Sequence, residues 1–81
     1  MYTVNVIEME LGNFNISYSF QGEDQAKVIK AAVKKFKALV KMACPSVSKD
    51  DLACYEEEGY FKSEDGYVDV VLTHPDVIVV K

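Results

Sequence analysis

Between Val28 and Ala43 the apolar residues Val28, Ile29, Ala32, Val33, Phe36, Leu39, Val40 and Ala43 recur at steps of three and four. That spacing gathers them on one side of an α-helix. A helix over 23–43 runs to about five turns at 3.6 residues per turn. In a chain of 81 residues such a helix is a whole layer, and its apolar stripe has to be covered by the rest of the molecule. Both ends are marked. Glu23 and Asp24 stand at the start and Lys37 and Lys41 near the end, the polarity a helix dipole favours. Gly22 or Asp24 is placed to cap the first turn, and Pro45 disfavours helical geometry at Cys44, so the helix should stop at about Ala43.

The cover is expected to be a sheet. Residues 14–20 alternate strictly, with Phe14, Ile16, Tyr18 and Phe20 on one face and Asn15, Ser17 and Ser19 on the other, the pattern of a half-buried strand. Tyr2 to Leu11 is rich in Val, Ile and Thr, and Gly12-Asn13 suits a two-residue hairpin turn. With that turn, Leu11 opposes Phe14, Met9 opposes Ile16 and Ile7 opposes Tyr18, which makes one apolar face and sends Glu8 and Glu10 to solvent. Val4 and Val6 then lie on the opposite face. Downstream, Ser48 followed by Asp51 resembles a capping box and predicts a short helix near 49–55. Strands follow over Gly59 to Lys62 and Tyr67 to Thr73, joined by a Ser63–Gly66 turn. After a turn at His74-Pro75-Asp76, the β-branched run Val77–Val80 predicts a last strand. The expected fold is α+β: one compact domain over 1–81, an antiparallel sheet of four to five strands, and the long helix packed across one face. The order is strand, strand, helix, short helix, then three strands.

Composition removes several function classes. A chain 49% hydrophobic with a formal charge of −4 is too apolar and too weakly charged for disorder. Its apolar runs are only four or five residues long, far short of the roughly 20 that a membrane helix needs. The first residues, MYTVNVIEMEL, lack a basic stretch and carry Glu8 and Glu10 where a signal peptide is apolar, so a cytoplasmic protein is expected. Cys44 and Cys54 are then expected as free thiols. Neither Asp50-Asp51 nor Glu56–Glu58 has the alternating acids and turn glycine of a calcium loop, and Cys44, Cys54 and His74 lack the paired spacing of a zinc site. No glycine-rich phosphate loop, nucleophile elbow or dinucleotide fingerprint is present, and His74 sits in a turn beside Pro75. A non-enzymatic protein without metal or cofactor is the expectation.

Two charged features remain. Lys27, Lys30, Lys34, Lys37 and Lys41 are spaced 3, 4, 3, 4 along the helix opposite its apolar stripe, with Lys35 on the flank. Such a row is either a solvated outer face or a docking surface for nucleic acid or another polyanion. The chain contains no arginine, the residue best suited to bidentate phosphate and guanine contacts, which weakens the nucleic-acid version. The opposite pole lies in 50–69, where Asp50, Asp51, Glu56, Glu57, Glu58, Glu64, Asp65 and Asp69 face Lys62 alone. Acids in turns keep a rim hydrated; the same block, flanked by Tyr55, Tyr60, Phe61 and Tyr67, also suits recognition of a basic partner protein. In size and charge the chain is similar to the small acidic proteins that phages encode to inhibit nucleic-acid enzymes, which implies an inhibitor or accessory factor. The contact residues expected on that reading are Asp50, Asp51, Glu56, Glu57, Glu58, Glu64, Asp65 and Tyr60. Val77–Val80 is apolar on both faces and the Val4/Val6 face also asks for cover, so a homodimer is expected as well.

Overall fold

The structure, a computed structural model, describes residues 2–10 and 15–73. Strands β1 (Tyr2–Glu10) and β2 (Asn15–Gly22) lead into helix α1 (Gln25–Ala43). Helix α2 (Lys49–Glu58) and strands β3 (Tyr60–Lys62) and β4 (Val68–Leu72) follow. The four strands form one antiparallel sheet in the order β2-β1-β4-β3, and α1 packs across one face of it. The α+β class and the long helix on the sheet are as the sequence predicts. The expected strand at Val77–Val80 and the turn at His74–Asp76 lie outside the described residues, as does the Gly12-Asn13 turn.

Helix α1 starts where Asp24 caps it: its carboxylate accepts the Lys27 N–H at 3.3 Å. At the other end the Cys44 N–H donates to the Val40 carbonyl at 2.8 Å before Pro45 stops the helix. Val28, Ala32, Phe36, Leu39 and Val40 are buried, with Ile29, Val33 and Ala43 packed at the margin. Under them lie Val4 and Val6 of β1, Val70 and Leu72 of β4, Phe61 of β3 and Leu52 of α2, with Phe36 at the centre and fully buried.

The β1–β2 register corrects the sequence reading by one residue. Met9 opposes Asn15, Glu8 opposes Ile16, Val6 opposes Tyr18 and Val4 opposes Phe20. A one-residue slip sends every side chain of a strand to the other face. Val4 and Val6 therefore lie in the core beside Tyr18 and Phe20, not on a free face awaiting a subunit, while Ile7 and Met9 turn to the far side of the sheet. Glu8, expected on the solvent face, shares the face of Val4 and Val6. The cause is the second neighbour of β1. Strand β4 pairs Val6 with Leu72 and Glu8 with Val70, and Asn5 is pinned to Thr73, whose N–H donates to its carbonyl at 2.9 Å and whose Oγ1 accepts its N–H at 2.9 Å. Because β1 is apolar on both faces, its own alternation could not choose between them.

Helix α2 begins as predicted, with Ser48 Oγ accepting the Asp51 N–H at 3.1 Å, and runs past the expected end at residue 55 to Glu58. It stops at Gly59, whose φ of 72° is the left-handed conformation that favours glycine. The Gly59 N–H donates to the Tyr55 carbonyl at 2.8 Å, so the residue expected to open a strand instead closes a helix. Tyr55 meets Phe61 edge-on at 4.9 Å between ring centroids, seating α2 beside the sheet.

Candidate functional site

The turn between β3 and β4 carries part of the acidic pole and is held by it. Asp65 Oδ1 accepts the Ser63 hydroxyl at 2.6 Å and the Tyr67 N–H at 3.0 Å, and Ser63 Oγ in turn accepts the Val68 N–H at 3.1 Å. The Ser63 hydroxyl first, then the Tyr67 N–H, lowers the Asp65 pKa from its ordinary value by stabilising the carboxylate. The turn thus faces water as a fixed negative charge. Between it and the α1–α2 connection lies an open cleft of about 540 Å³ walled by Asp51, Tyr55, Lys62, Glu64 and Asp65, with Cys44 and Val47 opposite.

The structure brings together only some of the residues expected as a partner-binding surface. Asp51, Glu64 and Asp65 share the cleft. Asp50 and Asp51 sit in the first turn of α2, where their charge favours the positive end of the helix dipole. Glu56, Glu57 and Glu58 stand at the opposite end of that ten-residue helix, about 1.5 Å of rise per residue away. There the dipole is negative, and no basic residue occupies the last turn. Glu56 is relieved from outside: Lys37 of α1 reaches it at 2.9 Å. Glu57 and Glu58 remain exposed. Tyr60 opposes Val71 on the sheet face turned away from α1 and is 41% exposed, and Tyr67, beside the turn, is 56% exposed. Phe61 is in the core and Tyr55 lies against it, so two of the four aromatics flanking the acids are structural.

The lysine row is divided by its neighbours. Lys27, Lys30, Lys34 and Lys41 are exposed. Lys37 is the partner of Glu56, and the Lys35 ammonium lies 4.3 Å from the centroid of the Tyr18 ring, a cation–π contact. Lys27 borders a second cleft, about 480 Å³, whose wall also holds Glu23 and Asp24, so an anion entering there would meet two carboxylates. The spacing 3, 4, 3, 4 could not reveal these partners, because they come from α2 and β2.

One carboxylate escaped the sequence reading as a distinct feature. Asp69 lies in β4 between Met9 and Lys62, and its Oδ1 is buried without a hydrogen-bond partner among the described residues. An acid in an otherwise Val/Leu strand was the available signal. Cys44 and Cys54 are free thiols, the first half-buried and the second exposed. No helix among the described residues is long and apolar enough to cross a membrane. Comparison with protein-family models, with characterised proteins and with solved structures gives no match to this chain.

Proposed function

We propose that this chain is a non-enzymatic protein-interaction module, an inhibitor or accessory factor that presents the acids of α2 and of the β3–β4 turn to a basic partner protein. The observation that carries the reading is Glu57-Glu58 at the end of α2. Both are exposed at the negative end of a helix dipole with no basic residue in that turn, an arrangement that costs the free protein stability and that a cationic partner would relieve. Exposed Tyr60, two residues after Glu58, supplies aromatic contact area nearby, and exposed Tyr67 does so beside the β3–β4 turn. A polyanion binder working through Lys27, Lys30, Lys34 and Lys41 is the second reading, favoured by their exposure on one helix face.

Charge reversal at each pole separates the two. The full chain, the double variant Glu57→Lys with Glu58→Lys, and the double variant Lys30→Glu with Lys34→Glu are titrated into a labelled arginine-rich peptide and into labelled duplex DNA at low salt. The acidic-surface reading expects peptide binding that is lost with the glutamate reversals and kept with the lysine reversals. DNA binding that disappears with the lysine reversals, in the absence of peptide binding, would replace it with the second reading.

A further inference from the structure

The two edges of the sheet are not alike. Strand β3 is three residues long, carries Lys62 and is bracketed by Glu58 and Glu64, the short, charged construction that discourages strand pairing. Strand β2 at the other edge is eight residues long, and from Asn15 to Gly22 it contains no charged residue and no proline. Its register with β1 runs unbroken from Met9–Asn15 to Tyr2–Gly22, without a bulge.

The direction of its outward hydrogen-bonding groups, unpaired by any strand among the described residues, follows from β1. Asn5 exchanges its backbone bonds with Thr73 on the β4 side, and backbone groups alternate sides along an antiparallel strand. Val4, Val6 and Glu8 therefore bond towards β2, to Phe20, Tyr18 and Ile16. The groups of Asn15, Ser17, Ser19 and Gln21 point the other way, to an edge with no strand beyond it among the described residues. All four of these residues are exposed.

We propose that β2 pairs antiparallel with β2 of a second copy of this chain, about a two-fold axis through Tyr18, to make one continuous sheet across two subunits. That register is self-complementary on both faces. Asn15 meets Gln21 of the second copy and Ser17 meets Ser19, each pair exchanging two backbone hydrogen bonds. On the helix side Ile16 meets Phe20 and Tyr18 meets Tyr18, apolar pairs whose members are only half-buried in the single chain. The axis also brings the two Lys35 ammoniums, each over its own Tyr18 ring, to the same side of the sheet. Their repulsion opposes the dimer, so added salt strengthens it. Apart from Lys35, this contact uses no residue of either charged pole, and it does not depend on the function proposed above.

Sedimentation velocity of the full chain over a wide concentration range, at low and high salt, tests it. The expected result is a monomer–dimer equilibrium that tightens with salt. Ser17→Pro deletes an N–H from the open edge without removing a bond to β1, so with one bond lost per copy the dimer should weaken by about tenfold or more. Ser17→Lys with Ser19→Lys sets like charges directly opposite one another and should abolish it, with circular dichroism unchanged. In the native protein, amide exchange at Ser17, Ser19 and Gln21 should slow with rising concentration. A wild-type chain that stays monomeric overturns the proposal, as does a dimer that survives both the Ser17→Pro and the paired lysine substitutions. An association that weakens with salt overturns it too, since that is the behaviour of the two charged poles meeting head to tail.

Discussion

Asp65 shows how one carboxylate ties a turn to pH. Its native pKa is held below the ordinary value by the Ser63 hydroxyl and the Tyr67 N–H, so the anion is favoured more in the folded chain than in the unfolded one. A group depressed in this way contributes stability above its unfolded pKa, and the contribution fades as pH falls through the folded value. Asp65→Asn should therefore lower the melting temperature at neutral pH and flatten the acid limb of the stability–pH curve, with little difference from wild type at the acid extreme. A constant offset at every pH would mean that the side chain acts by shape and not by charge. Phe36 is the corresponding residue of the core, with no exposed surface and α1 on one side and the sheet on the other. Phe36→Ala should cost about 3–5 kcal/mol, a large share of the roughly 4–12 kcal/mol expected for a chain of this length. Urea denaturation should show it as a fall in midpoint with an unchanged slope.

At the level of elements, α2 is the one whose charge order works against it. Its first turn has the favourable Asp50 and Asp51, but its last holds three glutamates, one of them met by a lysine among the described residues. Glu57→Lys with Glu58→Lys should raise stability by about 0.3–1 kcal/mol for each site, read as a higher melting temperature, while removing the binding proposed for that end. A loss of stability would mean that these glutamates have favourable contacts of their own. The same helix illustrates what was legible beforehand. Its start was visible in Ser48 and Asp51 because a cap is a local device. Its end was missed because Gly59 can open a strand or close a helix in the left-handed conformation, and only the packing of Tyr55 on Phe61 decides. Helix α1 was legible in its stripe and in its end before Pro45, while its start, open between Gly22 and Asp24, is settled by the Asp24 cap. The hairpin register was not, because β1 offers Val4 and Val6 on one face and Ile7 and Met9 on the other, and the choice rests with β4, some sixty residues later. The candidate site was half legible for a related reason. Charge sign can be read from residue types, but that Lys37 is taken by Glu56 and Lys35 by Tyr18 depends on elements meeting in space.

For the whole molecule the formal charge of −4 conceals a separation: residues 25–43 hold six lysines and no acid, and the remainder holds three lysines against thirteen acids. The two poles touch where Lys37 meets Glu56, a half-exposed pair worth about 0–1 kcal/mol at most. Lys62 also lies opposite Asp69 across β3 and β4, but within each pole many near neighbours are of like sign. Along α1, Lys27, Lys30, Lys34, Lys37 and Lys41 follow one another at three- and four-residue spacing, and each such like-charged pair costs about 0.2–0.5 kcal/mol before screening. Glu56–Glu58 and Glu64-Asp65 repeat the pattern in the acidic pole. We expect repulsion within the poles to outweigh attraction between them, so screening should remove more of the former than of the latter. Raising salt from about 10 mM, where the Debye length is about 30 Å, to about 150 mM, where it is about 8 Å, should raise the melting temperature in sodium chloride. Lys34→Glu, which turns two repulsive neighbours into attractive ones, should raise stability at low salt and shrink that dependence. A melting temperature that falls with salt would show instead that the Lys37–Glu56 contact and its surroundings dominate the field of the molecule, and would move the weight of the charge argument from the poles to the seam between them.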